Sequence, residues 1–174
     1  QLKVGASVCT WGGPTRRILW AARRRVSARG ACAPVCFSPG SVGNFNTLRL
    51  SQQHRVLVRL PRAISEIGGP EVLVPAKALV DGKDITLKRG GEITYVHFLL
   101  DRHDLVIAEG APCETLLPGP ETRGLIQGQA DKLALSLAVQ NGAYHPVRPI
   151  VSGKVAKRAG RLRLREGAET VVAY

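Results

Sequence analysis

The apolar positions of the first two-thirds of the chain come in short runs cut by turn residues. Leu2–Thr10 alternates weakly and stops at Gly12-Gly13-Pro14. Ile18–Val26 begins apolar and runs into Arg23-Arg24-Arg25, and Pro34–Ser38 is a short apolar piece bounded by Pro39-Gly40. Within Thr47–Leu60, Leu48 and Leu50 alternate with Arg49, and Val56 and Val58 flank Leu57. Two strands are predicted there, on either side of Ser51-Gln52-Gln53-His54. Glu71–Val80 is a further apolar run, ended by the turn signal Asp81-Gly82. Ile93–Leu100 and Asp104–Ala108 are separated by Asp101-Arg102-His103, which predicts a hairpin.

The pattern changes from about Gly119. Leu133, Leu135 and Leu137 among Ala and Lys predict a short helix over Ala130–Val139. Pro146, Pro149 and Gly153 break the chain beyond it, and Lys154–Arg165 fits either helix or strand. Many short strands with turn signals every ~10 residues and few helices predict an all-β fold. The expected organisation is a β domain over residues 1–120 and a short helical appendage over 121–174.

Composition sets the outer bounds. At 174 residues and 44% hydrophobic, the chain is long and apolar enough for one packed core, which excludes wholesale disorder. Aromatics are only 5%, so the core is expected to be Val, Leu, Ala and Ile. No apolar stretch approaches the ~18 residues of a membrane span, and no basic-then-apolar leader opens the sequence. Beginning at Gln1 and lacking Met, the sequence is expected to be a piece of a longer chain.

The net charge of +12 is unevenly spread. Gln1–Ser65 holds 11 basic and no acidic residues, whereas Glu66–Pro120 holds five basic and nine acidic. Such a basic third either binds an anionic partner or faces the acidic third of its own fold. The second reading is preferred, since the segments are similar in size and opposite in sign.

Several chemistries lack their motifs. There is no phosphate-binding Gly-rich loop, no His-Glu-x-x-His and no Gly-x-Ser-x-Gly elbow. Cys32 and Cys36 are four apart, but a zinc site needs about four ligands and no second pair is present. With Ala31–Phe37 extended, their Cα atoms would stand ~13 Å apart, beyond disulfide reach. Both are expected to be small buried residues. No cofactor and no metal are expected.

The histidines remain. His54 lies three residues after Ser51, His97 and His103 bracket Phe98–Arg102, and His145 lies in a Tyr-His-Pro loop. A neutral imidazole both donates and accepts a proton near neutrality, which suits general acid–base work. The plain alternative is a histidine that hydrogen-bonds a turn. Cys113, in Gly-Ala-Pro-Cys-Glu, has no activating partner assignable from sequence.

Leu50-Ser51-Gln52-Gln53-His54-Arg55-Val56-Leu57-Val58 resembles the block of Hedgehog/Intein (Hint) domains that carries Thr-x-x-His or Ser-x-x-His. Tyr95–Gly110 resembles their late block, as found in a bacterial subgroup from long alphaproteobacterial proteins. Val72–Val80, the loop from Ala33 to Asn44, and Gln1–Gly5 fit the same subgroup, although Ala6 stands where an Asp is usual. Pro146-Val147-Arg148-Pro149 is similar to its tail.

This resemblance implies an all-β horseshoe of two pseudo-symmetric halves and a self-processing reaction. A Cys or Ser at the first residue of the domain attacks the preceding carbonyl, giving a thioester or ester. His54 would protonate the departing amide nitrogen, and Ser51 would orient the scissile peptide. General acid help of this kind is worth about 10²–10⁴-fold. His103 matches the late-block histidine, and His97 stands near a position that carries Asp or Cys in other members. The substrate would be the chain's own flanking polypeptide, in a single turnover and without conventional enzymatic cycling. The attacking residue is expected upstream of Gln1. After Gly110 comes Ala-Pro-Cys-Glu-Thr and not the His-Asn of splicing inteins, so complete splicing is not expected and this piece alone should be inert.

Three readings are open at this point: an autoprocessing Hint domain; a Hint fold kept as an inactive structural or interaction module; and a basic nucleic-acid-binding β-module using Arg16, Arg17 and Arg23–Arg25. Trp20 is the only aromatic interleaved in that basic run, too few for a stacking platform, so nucleic acid is the least favoured partner.

Overall fold

A computed structural model of the chain describes residues 2–60, 69–118 and 144–166. The strands are β1 (Ser7–Val8), β2 (Arg16–Arg17), β3 (Trp20–Ser27), β4 (Val35–Phe37), β5 (Leu48–Leu50), β6 (Arg55–Arg59), β7 (Glu71–Pro75), β8 (Ile85–Leu87), β9 (Glu92–Leu99), β10 (Leu105–Ala108) and β11 (Ala111–Glu114). Among the described residues, short 3-10 turns cover Gly30–Cys32 and Ala76–Leu79, and one helix, α1, spans Gly153–Glu166. The expected all-β fold with a short C-terminal helix is what the chain forms. The helix expected over Ala130–Val139 lies outside the described residues, and Lys154–Arg165 falls within α1.

The strands form small antiparallel sheets in the orders β10-β11-β6-β7, β5-β4-β8, β3-β9 and β1-β2. The main core lies between the first two. Leu48 and Leu50 point inward while Arg49 points to solvent, the alternation of a half-buried strand. Val35 and Phe37 of β4 lie beside them, and Val56, Val58, Val72 and Val74 come from the facing sheet. Ala156 and Ala159 of α1 and Val151 complete this core.

β6 is buried on both faces, which is why its apolar run is continuous. Val56 and Val58 face the main core. Leu57, with Leu73 and Leu105, forms a second cluster covered by Trp11, Val147 and Ile150. Ile150 also makes a parallel bridge to Leu73. Residues 147–159 thus cover one side of the four-stranded sheet and enter the core on the other.

The hairpin expected between β9 and β10 does not form. All eight residues of β9 pair with β3, from Trp20↔Leu99 to Ser27↔Glu92. β10 turns back on β11 instead, through the two-residue turn Glu109-Gly110. Both turn residues have positive φ, 51° and 96°, the geometry that matches the twist of a tight hairpin. A Cβ on Gly110 would meet Phe45 and the Gly43 carbonyl oxygen within 3.0 Å, so glycine is required there. Asp101 and Asp104 bracket the β9–β10 link and are both held by Arg16.

Charges of the basic first third meet the acidic middle third: Arg16 with Asp101 and Asp104, Arg25 with Glu92, and Arg55 with Glu114. The expected burial of Cys32 and Cys36 is corrected. The 3-10 turn at Gly30–Cys32 breaks the extended stretch, leaving Cys32 exposed and Cys36 partly buried on β4. Among the described residues no helix is long and apolar enough to cross a membrane.

Candidate functional site

The link between β5 and β6 is a tight turn, closed by the His54 N–H donating to the Ser51 carbonyl at 3.1 Å. This turn is clamped on both sides. The Gln52 side-chain amide donates to the Gly30 and Ala33 carbonyls at 2.7 and 3.1 Å. The Ala76 N–H donates to the His54 carbonyl and the Lys77 N–H to the Gln52 carbonyl, at 2.8 and 3.0 Å. Ser51 and His54 are therefore held together by backbone that has little freedom to move, which is how a site is preorganised.

Both residues line a cleft of about 620 Å³. Its opposite wall is β9, with Tyr95 and His97 on one face of the strand, two residues apart. The two rings are 6.5 Å apart and tilted by 48°. The Tyr95 hydroxyl donates to the Cys32 carbonyl at 3.0 Å, and burial, with Cys32 and Cys36 nearby, pushes its pKa up to about 12. Arg24, opposite Tyr95 on β3, and the exposed Cys32 also border the cleft.

Beneath His54 lies Glu114, the last residue of β11. Its Oε1 accepts the Arg55 backbone N–H at 2.8 Å and its Oε2 accepts Arg55 Nη1 at 2.9 Å. Behind it is His103, with a side chain 0% exposed. His103 Nε2 faces Glu114 Oε2 at 3.4 Å, and Nδ1 accepts the Val147 N–H at 3.1 Å. Burial alone would raise the Glu114 pKa, but His103, His54 and Arg55 outweigh it and hold the carboxyl below its ordinary range. Burial lowers the His54 pKa, Arg55 and His103 add to this, and Glu114 opposes it. His97 is lowered too, by burial first and then by His54 and Arg24. Two largely neutral imidazoles thus face one cleft, the form that accepts and returns a proton near neutral pH.

A family model described as Hint domain matches residues 1–120. The chain belongs to the Hint domain family. No curated protein and no solved structure matches it. The match takes in every strand among the described residues and ends before Val147 and α1.

Of the four residues singled out in the sequence, the fold brings Ser51, His54 and His97 to the cleft. His103 does not reach it and sits behind Glu114. His145 is exposed on the C-terminal segment. Cys113 is buried beside Val56, and burial together with the Glu114 charge raises its pKa to about 12, so it is a poor thiolate. Sequence reasoning missed Glu114 and Arg55. The available signal was an acidic residue closing an apolar run, Ala111-Pro112-Cys113-Glu114, in which all four positions are buried. Pro112 argues against a strand in that run. Among the described residues no three His, Cys, Asp or Glu side chains are grouped to hold a metal ion.

Proposed function

We propose that this Hint domain activates the peptide bond at its own N-terminal junction, by an N-to-S or N-to-O acyl shift. A Cys or Ser at the domain's first residue, upstream of Gln1 in the parent chain, adds to the preceding carbonyl carbon. The carbon–nitrogen bond breaks and a thioester or ester forms. His54 delivers a proton to the departing amide nitrogen and is recharged by the proton from the attacking thiol or hydroxyl. Ser51 orients the scissile peptide, and His97 faces the same cleft from β9. His103 acts from behind, through Glu114.

The single observation that carries this reading is the clamped Ser51–His54 turn at the cleft, with Glu114 beneath it. Arg16 and Arg25 of the basic run are paired with acidic residues of the same chain, which weighs against the nucleic-acid reading.

The test uses the parent chain, extended upstream to include a Cys or Ser at the expected start. Its intact mass is monitored by mass spectrometry with and without a thiol. Thiol-dependent cleavage at the N-terminal junction, lost in His54→Ala, is expected. An unchanged mass from a folded protein under every condition would overturn the proposal and favour an inactive structural module.

A further inference from the structure

The segment beyond the family match reaches His103, behind the site. The Val147 N–H donates to His103 Nδ1 at 3.1 Å. A backbone N–H only donates, so Nδ1 carries no proton and the ring's proton sits on Nε2. Among the described residues Nε2 makes no hydrogen bond, and the carboxylate oxygen it approaches is Glu114 Oε2, at 3.4 Å. The choice of tautomer therefore decides whether a donor or a lone pair is turned toward that carboxylate. A lone pair would face a negative oxygen at the same distance and repel it.

Val147 is itself held in place from several directions. The Tyr144 hydroxyl donates to the Leu100 carbonyl. Arg148 Nε donates to Glu71 Oε2 at 2.9 Å, and Arg148 Nη1 to the Val147 carbonyl at 2.9 Å. The Leu73 N–H donates to the Pro149 carbonyl at 2.8 Å, and the Val151 N–H to the Leu73 carbonyl at 3.1 Å. The Val147 side chain packs on the cluster of Leu57, Leu73 and Leu105. These bonds tie the segment to β7 and to Leu100, just after β9.

We propose that Val147 is a positioning residue. Its N–H selects the His103 tautomer that turns Nε2–H toward Glu114, which keeps the carboxylate charged and aligned beneath His54. The C-terminal segment is then a working part of the site and not a separable tail. Its effect on catalysis rests on the autoprocessing reading; its effect on His103 does not.

The experiment labels the histidines of the full chain with ¹⁵N and reads the ring nitrogens of His103 by NMR at neutral pH. The expected spectrum shows Nε2 protonated and Nδ1 bare, with the Val147 amide slow to exchange. Val147→Pro removes the N–H and is expected to abolish that single-tautomer signature. In the extended parent it should slow cleavage by about 10- to 100-fold. A wild-type ring protonated on Nδ1 overturns the proposal, as does a folded Val147→Pro protein with an unchanged ring. Should Val147→Pro not fold, the wild-type ring and the Val147 exchange rate decide alone. A wild-type ring as expected in a parent that never cleaves would sink the autoprocessing reading and leave Val147's role standing.

Discussion

Glu114 Oε2 lies 2.9 Å from Arg55 Nη1 and 3.4 Å from His103 Nε2, so one carboxylate oxygen is shared between a cation and a buried imidazole. Arg55 adds its backbone N–H to the other oxygen. The residue after His54 therefore fixes the charge that lies beneath it. Only 8% of the Glu114 side chain is exposed, so the pair exchanges little of its attraction with water.

Removing that charge should be costly. Glu114→Gln leaves the Arg55 guanidinium partly buried without its counter-ion. A loss of about 3–5 kcal/mol in unfolding free energy is expected, measured by urea denaturation at pH 7. A loss below about 1 kcal/mol, the worth of an exposed pair, would show that the carboxylate does not hold the site together.

Stability should fall as pH is lowered, in two stages. His54 and His97 sit below the ordinary 6.5 in the folded protein, so the unfolded chain takes up protons first as pH drops through 6.5. Their contribution therefore erodes stability from about pH 6.5 downward until the folded rings protonate as well. Glu114 and Glu71 lie below the ordinary 4.5, so the stability they add is present above that pH and lost as pH falls through their folded values. Urea unfolding across the pH range should show both declines, and His54→Gln should reduce the upper one. A flat profile between about pH 7 and pH 5 would contradict the assignment.

Gln52 anchors the turn that carries Ser51 and His54. Gln52→Ala deletes two hydrogen bonds to backbone carbonyls, with an expected loss of about 1–3 kcal/mol. Cleavage by the extended parent should slow by more than the fraction unfolded explains. Equal losses in folded population and rate would reduce Gln52 to a purely structural role.

The cysteines should separate by reactivity. Cys9 and Cys32 are exposed and should be alkylated in the folded protein, with Cys36 slower. Cys113, buried and raised to about 12, should react only in denaturant. Peptide mapping after iodoacetamide treatment reads this directly, and early modification of Cys113 would show that β11 opens readily.

Local pattern in the sequence was enough for most of the strands and for the Ser51–His54 pair. Leu48, Arg49 and Leu50 alternate as a half-buried strand must, and Ser51–His54 is polar because it is the turn between strands. The spacing of Ser51 and His54 is a local quantity, set within one turn. The balance of charge between the first and middle thirds was likewise legible, since it needs only that the two segments fold together.

What the sequence by itself determined about this protein is the all-β class, most strand positions, the Hint resemblance and the Ser51–His54 pair. Only the tertiary structure decided which strand pairs with which. Periodicity gives a strand's faces but not its neighbours, so β9 went to β3 and β10 to β11, against the expected hairpin. It also decided the site's depth. Glu114 and Val147 meet His103 across 11 and 44 positions of chain, and no local pattern encodes contacts of that kind. Burial and charge then set the protonation of His54, His97 and Glu114, and both exist only once distant segments have packed together.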